Sequence, residues 1–314
     1  MSSASTITAL SHLLPEANVG KVSAVELITL GSSGAAVYAV SCSRGELVLR
    51  VHRATDEPAR WHQQLRISLL AAESGVAPAI VHVDDEARAI VSERIAARIG
   101  AALGDPTKRG AAISSVIGQL RALHRLDATQ LEERDPLAYA RRQYVVQRRR
   151  PGFPTWASQL DEVFDAIESV LIRDPRRVVS HNDMNPGNIM WDGKCAWLID
   201  WEVAGLTHPF FDLAVLAMYI QLPEPAAQQL LALQEQRTLD ASEHATFAAF
   251  RQLAALMFGC LITSKMPVLA VLPEPPKTLT EVYGAFRTGD LDLQSPRGQA
   301  AIATALLRLG AVPR

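Results

Sequence analysis

The first third of the chain alternates apolar and polar residues in short runs, which is the pattern of half-buried strands. Five such runs can be assigned, at 24–30, 35–42, 45–53, 79–85 and 88–95. The segment 59–75, ARWHQQLRISLLAAESG, has helical periodicity instead and ends at Gly75, a residue typical of a helix C-terminus. We therefore expect a small lobe of mostly antiparallel strands with one inserted helix.

From residue 107 onward the apolar positions recur with helical spacing. Helices are predicted at 108–126, 135–149, 155–174, 210–222, 223–236, 241–263 and 298–310. Thr155 is the expected N-cap of the third. Short strands are expected at 177–181 and 195–201. The pattern predicts a β-rich lobe over residues 1–95, with 1–20 as a candidate peripheral helix, and a helical lobe over 96–314.

Charge and composition narrow the classes of function. Lys and Arg number 31 against 33 Asp and Glu, and no basic run interleaves with aromatics, so no nucleic-acid partner is expected. The N-terminus lacks the pattern of a signal peptide, and no uninterrupted apolar run reaches the length of a membrane span. We therefore expect no membrane partner. The cysteines, Cys42, Cys195 and Cys260, are scattered, which favours free thiols and a cytoplasmic location.

A short polar loop, SHNDMNPGNIM at 180–190, carries the densest chemistry of the chain. Asp183 and Asn188 are five residues apart on this loop, and Asp200 is predicted to end an apolar strand. Oxygen ligands without cysteine or paired histidine suit Mg²⁺. An acid that the metal does not use can orient a hydroxyl and accept its proton during phosphoryl transfer. A solvated turn would explain NPGN, but it would leave Asp200 unexplained.

The order of these residues is more informative than any one of them. An H-x-D-x-x-x-x-N run followed by an apolar strand ending in Asp resembles the aminoglycoside phosphotransferase and choline kinase family, the small-molecule branch of the protein-kinase-like fold. The resemblance covers roughly 25–219. It rests on His181, Asp183, Asn188, Asp200 and Asp212 of HPFFDLA. It implies a bilobal α+β fold with a small β-rich N-lobe containing one inserted helix and a larger, mostly helical C-lobe.

The resemblance also implies roles for these residues. Asp183 would be the catalytic base, and Asn188 and Asp200 would be the Mg²⁺ ligands. His181 and Asp212 would support the catalytic loop, His181 by hydrogen bonding to backbone and Asp212 by bracing the same loop. The implied reaction moves the γ-phosphoryl group of ATP or GTP to a hydroxyl, with Mg²⁺ as cofactor.

The N-lobe would bind the nucleotide. Gly31, Ser32, Ser33 and Gly34 lie between two predicted strands, where kinases place a phosphate-binding loop. No Lys occurs between Lys21 and Lys108, so Arg50 is the candidate for the cation that contacts phosphate, with Arg53 as a nearby alternative. The helix partner of that cation is normally Glu in the family, whereas the corresponding position here is Gln64. Backbone groups around three consecutive residues would hold adenine: Ser92, Glu93 and Arg94.

The acceptor is left open by the sequence. The downstream segment has scattered acids rather than the dense cluster that aminoglycoside binders present. It has few aromatics for a quaternary ammonium cage. A choline-, ethanolamine- or thiamine-like metabolite and an aminoglycoside-like antibiotic both remain candidates. So do a non-catalytic nucleotide-binding pseudokinase and a protein Ser/Thr kinase, although the segment between Asp200 and the helix containing Asp212 is short for an activation loop. A monomer or a homodimer is expected.

Overall fold

The computed structural model describes residues 3–28, 35–53, 57–127, 130–269 and 278–312. The chain forms two compact units. Unit 1 comprises 1–126 and 187–204, and unit 2 comprises 127–186 and 205–314. Residues 96–126 therefore group with the β-rich part of the chain. The predicted lobes and the compact units divide the chain at different places, and the functional boundary at residue 95 stays a prediction.

Strands and helices within the described residues follow the predicted order. The strands are β1 Val22–Leu27, β2 Ala36–Cys42, β3 Gly45–Val51, β4 Ile80–Asp84, β5 Ala89–Glu93, β6 Val178–Ser180, β7 Ile189–Trp191, β8 Ala196–Leu198 and β9 Gly205–Thr207. The helices are α1 Ser3–Leu10, α2 Glu16–Val19, α3 Pro58–Glu73, α4 Gly100–Gly104, α5 Pro106–Leu123, α6 Pro136–Gln147, α7 Leu160–Leu171, α8 Phe211–Tyr219, α9 Glu224–Glu235, α10 Ala241–Lys265, α11 Leu279–Thr288 and α12 Pro296–Ala311. Short 3₁₀ turns lie at Ser11–Leu13, Thr155–Gln159 and Pro186–Asn188.

Unit 1 is built on an antiparallel sheet with the strand order β1-β2-β3-β5-β4. Alternation along β3 buries Leu47 and Leu49, which are 4% and 0% exposed, because successive side chains of a strand point to opposite faces. They join a buried cluster that also contains Val40 and Val91. The helix α3 connects β3 to β4, and Gly75 follows it with a φ of +73°, as the sequence predicted.

A small hairpin of β7 and β8 also belongs to unit 1. Backbone hydrogen bonds fasten it there. Among them, the Ile99 N–H donates to the Ile189 carbonyl (2.9 Å), and the Leu198 N–H donates to the Val76 carbonyl (2.8 Å). The Gln119 amide of α5 also donates to the Ala196 carbonyl at 2.7 Å. These contacts give the hairpin a fixed place in the unit that carries the large sheet.

Unit 2 is organised around α10, which packs against α6, α7, α8 and α12. A capping box at Asp240 and Glu243 starts α10. By length and composition α10 could cross a membrane, yet 78% of its most apolar stretch is buried inside the protein. We read α10 as a core helix. Its close approach to α12 depends on a small residue, because a Cβ at Gly310 would lie 2.6 Å from Leu256.

The structure corrects some predicted boundaries. Thr155 is not the N-cap of α7. It begins a 3₁₀ turn, and α7 starts at Leu160 with no side-chain cap. The strand expected to end at Asp200 stops at Leu198. The short elements α4, β7, β9 and the helix α11 carried too few periodic positions to be assigned from the sequence.

Candidate active site

The polar loop that follows β6 is held by a buried carboxylate from α8. Asp212 is 0% exposed, and its two oxygens accept hydrogen bonds from the backbone N–H groups of His181 (2.9 Å) and Asn182 (2.7 Å). The ring Nδ1 of His181 accepts a hydrogen bond from the Asp183 N–H at 3.3 Å. Asn182 adopts a φ of +66°, a conformation that Asn tolerates better than most residues. Three consecutive backbone N–H groups are thus fixed, and the half-buried Asp183 projects from a fixed backbone.

A second set of charges holds the segment that leads into α8. His208 is 3% exposed, lies 2.9 Å from a carboxylate oxygen of Asp174, and accepts a hydrogen bond at Nδ1 from the Phe210 N–H (3.1 Å). The acceptor role of Nδ1 leaves Nε2 as the protonated nitrogen, and it is Nε2 that faces the Asp174 carboxylate. Arg176 pairs with Asp174 at 2.6 Å and stacks over the Phe210 ring. Sequence reasoning missed this network, whose only sequence signal is the histidine beside a proline before α8.

The pKa values of His208 and Asp174 are both lowered, but for different reasons. Burial lowers the pKa of His208 to about 4, and the attraction of Asp174 only partly offsets this shift. The hydrogen bond from Arg176 is the largest cause that depresses the pKa of Asp174 well below its ordinary value, and His208 adds to it. At neutral pH His208 is therefore neutral and Asp174 is ionised.

The two candidate metal ligands flank one end of the β7–β8 hairpin in unit 1. Ile189 pairs with Leu198, and the Ile199 N–H donates to the Asn188 carbonyl at 2.9 Å. Asn188 and Asp200 therefore lie at the same end of the hairpin, although they are distant in sequence. Asp200 has a φ of +72°, in the sparsely populated left-handed region, where strained residues cluster at functional sites.

Arg50, the predicted phosphate-contacting cation, pairs with Asp200. One guanidinium nitrogen donates to the Asp200 carboxylate at 2.7 Å, and both side chains are about one-fifth exposed (18% and 20%). The carboxylate that pairs with Arg50 in unit 1 is thus that of Asp200, the candidate Mg²⁺ ligand. Gln64 is buried on α3, and its amide nitrogen lies 3.5 Å from His52. Gln63, the residue beside this predicted position, donates to the Ala204 carbonyl at 3.3 Å.

The remaining nucleotide-binding candidates divide into two groups. Gly31, Ser32, Ser33 and Gly34 lie outside the described residues, so the phosphate loop stays a prediction. Ser92 and Glu93 end β5, where the Glu93 N–H donates to the Ala79 carbonyl (2.9 Å). The Arg94 N–H donates to the Glu46 carbonyl (3.1 Å), and the Arg94 side chain pairs with Glu46 at 3.0 Å. These two N–H groups are used by the sheet, so adenine recognition here would need other backbone groups of the same segment.

The chemistry of the donor set fits Mg²⁺. Asn188 offers an amide oxygen and Asp200 a carboxylate, and both flank the same end of the β7–β8 hairpin. Mg²⁺ prefers oxygen and is commonly held by only one or two protein carboxylates, with water and phosphate completing the shell. No cluster of three or more His, Cys, Asp or Glu side chains suited to a metal occurs among the described residues. A metal bound here would therefore depend on the nucleotide for further ligands.

One aromatic hydroxyl, that of Tyr219, lies within electrostatic reach of Asp183 in unit 2. Tyr219, at the end of α8, packs edge-on against Phe258 with ring centroids 5.2 Å apart. Burial raises the pKa of Tyr219 well above its ordinary value, and the charge of Asp183 and the nearby Tyr283 raise it further. Both tyrosines are therefore neutral hydrogen-bonding groups at physiological pH.

Comparison with known proteins places this geometry in a family. A family profile described as the phosphotransferase enzyme family matches residues 24–253, well over half of the chain. The chain belongs to this family. The match includes the sheet, the loop containing Asp183, the β7–β8 hairpin and α8.

Individual relatives are more distant. Protein LicA of Haemophilus influenzae is 26% identical over 125 residues, which is 38% of this chain and 45% of that protein, so the match spans less than half of the relative. A choline/ethanolamine kinase family protein from Mesorhizobium loti has a similar structure, with a TM-score of 0.69, 18% identity and coverage of 98% of this chain and 99% of that one. The spectinomycin phosphotransferase APH(9)-Ia, solved with ADP and spectinomycin, gives a TM-score of 0.57 at 14% identity and covers 98% of both chains. At these identities the similarity is one of fold, and it confirms the predicted kinase-like α+β class.

Proposed function

We propose that this protein transfers the γ-phosphoryl group of a nucleoside triphosphate to a hydroxyl group of a small molecule. The observation that carries the proposal is the set of hydrogen bonds that holds the backbone at Asp183 in place. Asp212 accepts hydrogen bonds from the backbone N–H groups of His181 and Asn182, the two residues before Asp183. The His181 ring accepts a hydrogen bond from the Asp183 N–H itself. A base that must meet a hydroxyl proton at hydrogen-bond distance benefits from such a fixed backbone.

Each side chain of the site then has a defined task. Asp183 orients the acceptor hydroxyl and accepts its proton as the phosphoryl group leaves the nucleotide. Arg50 is a permanent cation that can exchange its contact with Asp200 for phosphate oxygens. Mg²⁺, held through Asn188 and Asp200, would supply charge neutralisation on the phosphates. The nucleotide side of this scheme is supported by the ADP found with the similarly folded spectinomycin phosphotransferase.

For the acceptor, the described residues favour a small metabolite over an aminoglycoside. A polycationic aminoglycoside needs several available carboxylates. The acids of the C-terminal helices are instead used within the protein. Glu224 pairs with Arg251 at 3.0 Å, Glu243 pairs with Arg237, and Asp240 and Glu281 cap their helices. Tyr219, by contrast, lies within electrostatic reach of Asp183, and Tyr283 lies near Tyr219. Aromatic rings suit a small alcohol that carries an apolar or ammonium group.

The test is Mg²⁺-dependent release of ADP or GDP by the purified protein across a panel of acceptors. The panel contains choline, ethanolamine, thiamine, sugars, aminoglycosides and other hydroxylated antibiotics. We expect release stimulated by one acceptor class and reduced at least about a hundredfold in Asp183→Asn. Asp165→Asn, which changes an exposed carboxylate on α7, is the matched control and should keep full activity.

Two results would contradict the proposal. Nucleotide binding without release by any acceptor would favour a non-catalytic nucleotide-binding protein. Phosphate transfer to peptides, with none to small alcohols, would favour a protein kinase. The preference for ATP or GTP, the cytoplasmic location, the lack of membrane and nucleic-acid partners and the monomeric or homodimeric state stay predictions.

A further inference from the structure

Unit 2 contains a cavity of about 870 Å³ whose described lining includes none of His181, Asp183 and Asp212. It is walled by the end of α8, the beginning of α11 and the last turn of α12. This volume lies within the range of pockets that hold drug-sized molecules. Most of the wall is apolar, with Met218, Leu279 and Leu309 among its residues. The cavity therefore offers an apolar body of this size a place to lie.

Two arginines give the apolar wall its charge. Arg251 is 5% exposed and is neutralised, because it pairs with Glu224 at 3.0 Å and donates to the Leu222 carbonyl at 2.6 Å. Arg308 differs, since no Asp or Glu lies within ion-pair distance of it in the part of the chain that the structure describes. Its buried Nε has no hydrogen-bond partner there either. The cavity thus carries one positive charge that its described surroundings do not balance.

The guanidinium of Arg308 lies over an aromatic ring. Its guanidinium carbon lies 5.4 Å from the centroid of Trp156, and both residues line the cavity. A guanidinium stacked on an indole keeps its in-plane N–H donors directed away from the ring, where they can bind a carboxylate or a similar anion with two hydrogen bonds. Trp156 at the same time adds apolar surface beside that anion.

We propose that this cavity binds a small organic anion with an apolar or aromatic body, whose carboxylate pairs with Arg308. Arg308 is partly buried, and its Nε is fully buried, so the guanidinium lacks both a carboxylate and full hydration, and an anionic ligand would offset that cost. A cationic ligand such as a quaternary ammonium compound would add to the unbalanced charge. The ligand class of this cavity therefore differs from the ammonium compounds considered as phosphoryl acceptors.

Direct binding tests the assignment without reference to phosphoryl transfer. Isothermal titration calorimetry would compare 2-naphthoate, its neutral carboxamide and the cationic 2-naphthylmethyl-trimethylammonium on the full chain. We expect the anion to bind at least about tenfold more tightly than the amide, a difference of about 1.4 kcal/mol. The cation should bind least. Arg308→Gln should remove the preference for the anion.

Two further variants separate charge recognition from damage to the fold. Arg287→Gln changes an exposed arginine on the neighbouring α11 and should leave all three affinities unchanged. Arg308→Lys keeps the positive charge and should keep part of the preference even if Arg308→Gln fails to fold. Equal binding of the three probes, or binding of none, would overturn the proposal, as would an anion preference that survives in a folded Arg308→Gln protein.

Discussion

Two carboxylates of the same family motif are held in opposite ways. In unit 2, Asp212 is fully buried, and both of its oxygens are committed to backbone N–H groups of the polar loop. In unit 1, Asp200 is one-fifth exposed at 20% and faces the side chain of Arg50. Backbone contacts cannot be exchanged without unfolding the loop, whereas a long cationic side chain can move when a ligand arrives. The comparison separates a carboxylate that builds the site from one that is available to ligands.

Removing Asp212, the carboxylate that holds the polar loop, should have the largest effect. Asp212→Ala leaves two buried backbone N–H groups without acceptors, at a cost of about 1–3 kcal/mol each. We therefore expect the free energy of unfolding to fall by about 2–5 kcal/mol and kcat to fall at least a hundredfold. Urea unfolding followed by fluorescence, together with steady-state kinetics on the folded fraction, measures both. An unchanged unfolding midpoint would show that these hydrogen bonds do not hold the loop.

The segment between β9 and α8 should respond to acid before the rest of unit 2. Burial holds the pKa of His208 at about 4 in the folded protein, whereas the unfolded chain protonates near the ordinary value of 6.5. As the pH falls below about 6.5 the unfolded state takes up a proton that the native state refuses. Stability should decrease down to about pH 4 by on the order of 3 kcal/mol.

The variant His208→Asn checks the source of that slope. The Asn side-chain oxygen can replace Nδ1 as acceptor for the Phe210 N–H, but the side chain does not titrate. We expect a lower stability at pH 7 and a much flatter dependence between pH 6.5 and 4, measured by urea unfolding at each pH. An unchanged slope would assign the acid sensitivity to other groups. The pKa of Asp174 is depressed in the folded protein, so protonation of its carboxylate adds a separate decrease in stability below the ordinary pKa of 3.8.

Disrupting the ion pair between Arg50 and Asp200 should affect nucleotide binding more than stability. Arg50→Met removes the charge and keeps the apolar stem, and we expect the unfolding free energy to change by less than about 1 kcal/mol, since ion pairs near the surface contribute little. Mg²⁺–ADP affinity should fall at least about tenfold, or about 1.4 kcal/mol. Arg53→Met, at an exposed position shortly after β3, is the matched control. Equal losses in the two variants would remove the assignment of Arg50 to phosphate.

The sequence predicted most of the architecture because its signals are local. Apolar periodicity located the strands of the large sheet and the long helices, and the H-x-D-x-x-x-x-N run located the polar loop. The boundaries failed where two conformations compete over a few residues. At Thr155 a 3₁₀ turn precedes the α-helix, and at Leu198 the strand ends before Asp200 because Asp200 takes a left-handed conformation.

The partners of the site residues were harder to predict, since they depend on contacts between distant segments. The sequence indicates Arg50 as a cation, but its pairing with Asp200 joins residues 150 positions apart. His208 and Asp174 also lie on different segments, and the resemblance assigned a role to neither of them. Local patterns identify residue types with chemical capability. The tertiary fold decides which of them are satisfied by the protein itself.

The smallest effect should come from restoring the family's acid on α3. In Gln64→Glu the new carboxylate would be buried near His52, whose ring nitrogen lies 3.5 Å from the present amide, while Arg50 already has a carboxylate partner in Asp200. We expect Mg²⁺–ADP affinity to change less than about threefold, or about 0.7 kcal/mol. Gln63→Ala, which removes the contact with the Ala204 carbonyl, is the companion variant for the effect of altering a neighbouring buried glutamine of the same helix. A tenfold gain in affinity for Gln64→Glu alone would mean that Arg50 leaves Asp200 for the helix acid. The pairing of Arg50 with Asp200 would then be a substitute for the missing glutamate rather than a contact reserved for exchange with phosphate.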